Sequence, residues 1–116
     1  MRSTTFILAG VGLMILSACY PVRRAEPLVG PMTAASTSIK RGEQLFNENC
    51  FRCHLGGEGG LAPSLNDKPL PRIAMRFQIR HGLGTMPAFS EQQLSDQQVE
   101  DIMDYMIALR RHGIKK

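Results

Sequence analysis

Cys50, Cys53 and His54 form the stretch of this 116-residue chain whose residue types and spacing indicate the most definite chemistry. They make the pattern C-x-x-C-H, which is typical of covalent haem attachment. Two thiols three positions apart can bond to two points on one porphyrin edge, and the adjacent imidazole can then ligate the iron. The motif therefore predicts one haem c per chain, attached through both cysteines and ligated by His54.

Two other chemistries use the same residue types. A thioredoxin-like redox pair needs a surrounding βαβ pattern, which this sequence does not show. A zinc site needs a fourth ligand. His81 and Cys19 are the candidates for it, but the chain has no second C-x-x-C and no H-x-x-x-H. A zinc- or thiol-based structural protein therefore stays as the alternative from another class.

The N-terminus has the organisation of an export signal. A short positive start is followed by an apolar run from Phe6 to Ala18, which is too short for a bilayer that takes about 20 residues to span. The run suits a signal-peptide core, and its end, Leu16-Ser17-Ala18-Cys19, resembles the lipobox of bacterial lipoproteins. The resemblance implies a lipidated Cys19 that anchors the protein to a membrane facing the bacterial periplasm. The resemblance does not say whether this is the inner or the outer membrane.

These features divide the chain into three parts. Residues 1–18 are the predicted signal peptide, 19–37 a lipidated N-terminus with a proline-rich tether, and 38–116 one folded domain. A domain of this size builds only a small apolar core, which a covalently held haem would reinforce. The alternative for the tether is that Val29 to Met32 pack on the domain.

Charge is spread along the chain, with a formal net charge of +4. No basic run alternates with aromatic residues, so the composition argues against a nucleic-acid partner. One regular basic feature remains, because Arg72, Arg76 and Arg80 recur every four residues of a predicted middle helix. Three interpretations are open: a solvated face, a contact to haem propionates, or a docking patch for an acidic partner.

Helical patterns recur in three segments, which predicts an all-α fold. Ser38 is the predicted N-cap of the first helix. Pro71 is predicted to open the middle helix and Gly82 to end it. Ser95 and Gln98 form a capping box before a last helix that carries an apolar stripe.

The region from Ser38 to Arg111 resembles a class I cytochrome c. The resemblance rests on Gly42, on Phe46 four residues later, and on Cys50 four residues after that. It implies the cytochrome c fold, with three main helices around one covalently bound haem. It also implies that Gly42 and Phe46 cross the last helix at Tyr105.

The resemblance also implies further haem contacts. In the family a proline carbonyl binds the second ring nitrogen of the haem histidine, and Pro63 lies nine residues after His54. Such a bond fixes the histidine tautomer. Leu65 is then expected to pack on the haem edge. A methionine followed by proline supplies the sixth iron ligand in the family, and Met86 matches that pattern.

Four side chains compete with Met86 for the iron. Met103 and Met106 fall on the apolar stripe of the last helix, Met75 lies within the middle helix, and His81 could ligate in a rearranged state. The separation of 32 residues between the two predicted ligands, at 54 and 86, is short for the family. We therefore expect a more exposed haem edge.

One-electron transfer is the function that the resemblance implies. Filled axial positions leave no place for a substrate, and the sequence contains no enzyme constellation. The expected partners are redox proteins that dock near the exposed haem edge. The alternatives are a haem-based ligand sensor and a cytochrome subunit of a larger oxidoreductase complex.

Overall fold

Three helices make up the regular structure of the domain. A computed structural model describes residues 32, 33 and 35–113 of the chain. Within that part, the β pairing amounts to one isolated bridge between Leu83 and Met86. The predicted all-α fold is confirmed. The elements are α1 (Thr37–Asn49), a short 3-10 turn (Leu55–Gly57), α2 (Arg72–His81) and α3 (Asp96–Gly113).

The predicted signal peptide and most of the predicted tether, including Cys19, lie outside the described residues. Met32 is described, and it packs half-buried against the core. The alternative that the end of the tether packs on the domain is therefore confirmed for Met32. None of the described helices is both long enough and apolar enough to cross a membrane.

The first helix begins two residues earlier than predicted. Its N-cap is Ser36, which has extended backbone angles and whose Oγ accepts a hydrogen bond from Ile39 N at 3.2 Å. The predicted cap, Ser38, lies inside the first turn and donates its hydroxyl to Asp104 of α3. A serine at either position suits an N-cap. The prediction that Ser38 is the cap was wrong, because the Ser38 hydroxyl bonds to a residue of α3.

The other helix boundaries lie close to their predicted positions. Pro71 is the N-cap of α2 rather than its first residue, with φ −69° and ψ 154°. Gly82 ends α2 at φ 71°, a conformation that glycine adopts without strain. The capping box of α3 is confirmed, since Gln98 N lies 3.3 Å from Ser95 Oγ and Ser95 N lies 2.8 Å from Gln98 Oε1.

The crossing of α1 and α3 centres on Gly42. A Cβ atom at this position would lie 1.9 Å from Asp101 O and 2.9 Å from Tyr105 Cβ. The rings of Phe46 and Tyr105 meet beside it, with centroids 5.3 Å apart and an interplanar angle of 54°. The predicted crossing is therefore confirmed, and only a residue without a side chain fits at its centre.

An ion pair between a half-exposed arginine and a buried carboxylate reinforces the same crossing. Asp101 is 1% exposed, and Arg41 binds it with two nitrogens, Nε at 2.7 Å and Nη2 at 3.0 Å. Gln97 Nε2 adds a third hydrogen bond at 3.1 Å. The Arg41 hydrogen bond is the main reason that the pKa of Asp101 lies below its usual value. The carboxylate stays charged at neutral pH and links the two helices.

The basic ridge of α2 forms ion pairs with α3. We call this set of ion pairs the arginine ladder; its members are Arg72, Arg76 and Arg80 with Asp96, Glu100 and Asp104. None of the three interpretations from the sequence included these pairs, and the propionate contact and the docking patch stay predictions. Each partly exposed pair contributes little alone, about 0–1 kcal/mol, but together they fix the orientation of α2.

The apolar core lies where α2 and α1 pack on α3. From α2 only Met75 and Ile79 enter it, whereas Ile73 and Phe77 on the next face are exposed. The remaining buried apolar side chains are Phe46 of α1 and Leu94, Val99, Ile102, Met103, Tyr105 and Leu109 at or within α3. The contact of α2 with α3 is much smaller than that of α1, so the attachment of α2 depends more on its ion pairs.

Candidate haem-binding site

The C-x-x-C-H segment turns directly out of α1. Cys50 caps the helix, its N lying 2.8 Å from Phe46 O, and His54 N then bonds to Cys50 O at 2.9 Å. This tight turn brings both thiols and the imidazole to the end of the helix. The two cysteines are half-buried and are not joined to each other in a disulfide.

The thiol of Cys50 is held in its neutral form. Burial, followed by the charge of Cys53, raises the pKa of Cys50 to about 11. A neutral thiol is a weak nucleophile towards oxidants and disulfides. At neutral pH the Cys50 thiol therefore stays protonated.

His54 is oriented by the residue that the family resemblance pointed to. Its Nδ1 lies 2.9 Å from Pro63 O. Because a carbonyl oxygen can only accept, the proton must be on Nδ1, and Nε2 keeps its lone pair for a metal. This bond fixes the orientation of the imidazole, as second partners of metal-binding histidines do.

A glycine-rich loop, residues 55–61, connects His54 to Pro63. Gly57 has φ 79°, and its carbonyl accepts hydrogen bonds from Leu65 N at 2.8 Å and Asn66 N at 3.1 Å. A Cβ atom on Gly57 would lie 2.3 Å from Leu109 Cδ2 of α3. The loop is thereby fixed to the last helix. Leu65 packs half-buried against the core, and its contact with a haem edge stays a prediction.

Met86 lies in the connection between α2 and α3, residues 82–95, which we call the methionine loop. Leu83 and Met86 exchange backbone hydrogen bonds of 3.2 Å and 3.0 Å. Gly82 makes this turn possible, because a Cβ atom there would lie 2.4 Å from Met86 O. The Met86 side chain is half-buried and packs against the core.

Gln78 is a residue of the site that sequence reasoning missed. Its Nε2 lies 3.8 Å from Met86 Sδ, within the range of a weak hydrogen bond to sulfur. Gln78 precedes Gly82 by four residues, so helical spacing alone could have placed it beneath the methionine loop. The amide steadies the thioether that is predicted to ligate iron.

The competing methionines lie in the core or against it. Met75 and Met103 are 3% and 1% exposed within the core, and Met106 packs against it. These positions favour Met86 among the methionines. His81 Nδ1 bonds to Phe77 O at 2.9 Å, and its ring stacks on Phe77 with centroids 4.1 Å apart. This contact leaves His81 Nε2 open, as the contact with Pro63 does for His54.

The donor set fits a haem better than a zinc ion. The described residues contain no group of three or more His, Cys, Asp or Glu side chains arranged to hold a metal ion. They do offer two thiols, an imidazole with a free Nε2 and a thioether, which are the groups that attach and ligate haem c.

Exposed apolar side chains line a shallow groove on α2. The groove has a volume of about 370 Å³ and lies next to Gln78. The lining residues are Ile73, Ala74, Phe77, Gln78, Gly82 and Leu83.

Comparison with known proteins gives consistent results. A family model described as cytochrome c oxidase, cbb3-type, subunit III matches residues 37–106. Cytochrome c6 of Cyanidioschyzon merolae is 31% identical over 86 residues, covering 67% of this chain and 81% of the relative. Cytochrome c6 of Gloeothece citriformis is 35% identical over 80 residues, covering 62% and 72%.

The fold is similar to that of a solved relative. The crystal structure of cytochrome c6 from the diatom Phaeodactylum tricornutum has a TM-score of 0.56 and 32% sequence identity. The similarity covers 65% of this chain and 97% of that structure. The matched part of this chain thus corresponds to nearly the whole of that structure.

Proposed function

The chain belongs to the class I c-type cytochromes, and we propose that it carries single electrons on one covalently attached, His/Met-ligated haem c while tethered to a membrane. Family membership supports an electron-transfer protein rather than a catalytic enzyme. The ligand set, the tether and the partners are our proposals.

The observation that carries the proposed ligation is the 2.9 Å contact between His54 Nδ1 and Pro63 O. It leaves Nε2 as the atom that would bind iron, and Met86 Sδ would supply the second protein ligand. Cys50 and Cys53 attach the macrocycle through thioether bonds. The bound haem supplies an iron that gains and loses one electron.

Residues of the chain set the reduction potential of the haem and how much of its edge is exposed. A thioether ligand favours the reduced iron more than a second imidazole does, so Met86 raises the reduction potential. The short stretch between the two ligands covers less of the lower haem edge. That exposed edge is where we propose that redox-partner proteins dock.

Absorption spectra of the full chain, made in a host that attaches haem c, test this proposal. We expect the spectra of a six-coordinate haem in both oxidation states, and an iron–thioether charge-transfer band in the oxidised one. The haem should stay with the polypeptide after denaturation. A variant with both cysteines replaced by alanine is the control and should lose that attachment. A colourless wild-type protein would refute the proposal.

A second candidate is a cytochrome subunit of a larger oxidoreductase complex. The match of residues 37–106 to the family model of an oxidase subunit favours it. Co-purification with other haem-containing subunits after gentle solubilisation would support this candidate. A protein that behaves as a monomer with its haem intact would support the free carrier.

The tether is proposed from the lipobox-like sequence before Cys19, a residue outside the described part of the chain. Two or more acyl chains on this cysteine would give stable membrane attachment. Mass spectrometry of the mature protein should find Cys19 as the first residue, with lipid attached. Replacing Cys19 with serine should release the protein from membranes. A mature N-terminus without lipid would contradict the tether.

A further inference from the structure

Arg80 differs from the other two arginines of the ladder. Its side chain is 14% exposed, compared with 42% for Arg72 and 36% for Arg76. A guanidinium that is this far buried needs hydrogen-bond acceptors for most of its five N–H groups. The residues that accept these hydrogen bonds indicate the role of Arg80.

Two of those acceptors are backbone carbonyls of the methionine loop. Arg80 Nη1 donates to Phe89 O at 3.1 Å and to Leu94 O at 2.7 Å. Arg80 Nη2 donates to Asp96 Oδ1 at 2.8 Å. One planar side chain on α2 therefore holds the loop at two points and α3 at a third.

The contacts of the other two arginines stay on α3. Arg76 bonds to Asp96 and Glu100, and Arg72 bonds to Glu100 and Asp104. Neither has a hydrogen bond to the methionine loop among the described residues. Arg76 thus matches Arg80 in helix, charge and pairing with Asp96, and differs in not holding the loop.

The loop has few other long-range hydrogen bonds. Phe89 N bonds to Ile79 O at 2.9 Å, and the remaining backbone bonds of the loop are local ones, such as those between Leu83 and Met86. Phe89 comes only three residues after Met86, so fixing its carbonyl restricts where the thioether can move.

We propose that Arg80 is a positioning residue that holds Met86 in place as an iron ligand, by fixing the two carbonyls of the methionine loop. The inference rests on the proposed ligation by Met86. It predicts that Arg80 sets how readily an external ligand displaces the thioether. Loss of a charged donor leaves its acceptors unpaired and lets the loop open more often.

The test compares Arg80→Gln with Arg76→Gln in the full-length haem protein. The rate of imidazole binding to the oxidised form is measured, together with the iron–thioether band as temperature rises. We expect Arg80→Gln to bind imidazole about tenfold faster or more, since charged hydrogen bonds hold the closed loop. Its band should also disappear at a lower temperature. Arg76→Gln should stay within about twofold of the wild type, because exposed ion pairs are weak.

Arg80→Lys adds a check on geometry. A lysine keeps the charge but lacks the planar fork that reaches three acceptors. We expect an intermediate binding rate. If Arg80→Gln does not retain haem, the comparison of Arg80→Lys with Arg76→Gln decides the question.

The outcomes separate this inference from the proposed function. A wild-type protein without the iron–thioether band would refute the ligation itself. With the band present, equal imidazole rates for the Arg80 and Arg76 variants would overturn the positioning role and leave electron transfer by a His/Met haem intact.

Discussion

Met86→Ala is expected to open the sixth iron position and convert the protein into a haem protein that binds external ligands. The oxidised form should lose its iron–thioether band, and the reduced form should bind carbon monoxide rapidly. A ligand held by the fold competes as an intramolecular group with a high effective concentration. Its removal should therefore tighten imidazole binding by about a hundredfold, which corresponds to roughly 2.7 kcal/mol.

Met106→Ala is the matched control for this variant. Met106 is also half-buried and packs against the core, but it lies within α3 and away from the methionine loop. The control should keep the band. Rapid carbon monoxide binding by the wild type, equal to that of Met86→Ala, would favour the ligand-sensor alternative over the carrier.

Gly42→Leu is expected to destabilise the fold more than the loss of any single ion pair of the arginine ladder. A Cβ atom would lie 1.9 Å from Asp101 O and 2.6 Å from Asp101 C, both of which are backbone atoms of α3. They cannot move without separating the helices. We expect a loss of about 3 kcal/mol or more in the free energy of unfolding, and a melting temperature lower by roughly 12 °C or more. Thermal unfolding followed by circular dichroism measures both.

Asn47→Leu provides the comparison on the same helix. Asn47 is exposed, so this change adds the same side chain without a clash. Its effect should stay within about 0.5 kcal/mol, as is usual for surface positions. An unchanged melting temperature for Gly42→Leu would show that α1 and α3 do not cross as described.

Local sequence patterns predicted most of the helices and loops of the fold. Gly82 and the Ser95–Gln98 capping box act through neighbours within four residues, so the sequence alone shows their partners. The crossing at Gly42 involves α1 and α3, far apart in sequence, and the resemblance to cytochrome c supplied it. Ser36 was missed as a cap because Ser36 and Ser38 suit an N-cap equally well in the local sequence. Only the hydrogen bond from Ser38 to Asp104, on a helix distant in sequence, distinguishes them.

The role of the arginine ladder could not be predicted for a related reason. Helical spacing places Arg72, Arg76 and Arg80 on one face, but it does not show which element that face meets. The α3 carboxylates at 96, 100 and 104 have the same spacing, so a matching pattern was present in the sequence. Helical spacing places Gln78 one turn before Gly82, but its hydrogen bond to Met86 also depends on how the methionine loop folds back on α2.

The arginine ladder divides the domain into two parts with different sensitivity to acid. Hydrogen bonds from arginine or serine lower the pKa of Asp96 and of Asp104. Carboxylates with a lowered pKa stabilise the fold above their unfolded value, near 3.9, and that contribution is lost as pH falls through the folded pKa. The attachment of α2 then weakens, and so do the contacts of Arg41 with Asp101 and of Ser38 with Asp104, which join α1 to α3. The packing of Phe46 and Tyr105 beside Gly42 does not depend on a carboxylate and keeps α1 on α3.

We therefore expect local unfolding in acid to start with α2 and the methionine loop. Met86 belongs to the part that is expected to open first, and Cys50, Cys53 and His54 belong to the part that is expected to stay folded. Under the proposed ligation, a partly opened molecule would keep its haem through the two cysteines and would lose the Met86 ligand. Loss of electron transfer and loss of the cofactor would then be separate events.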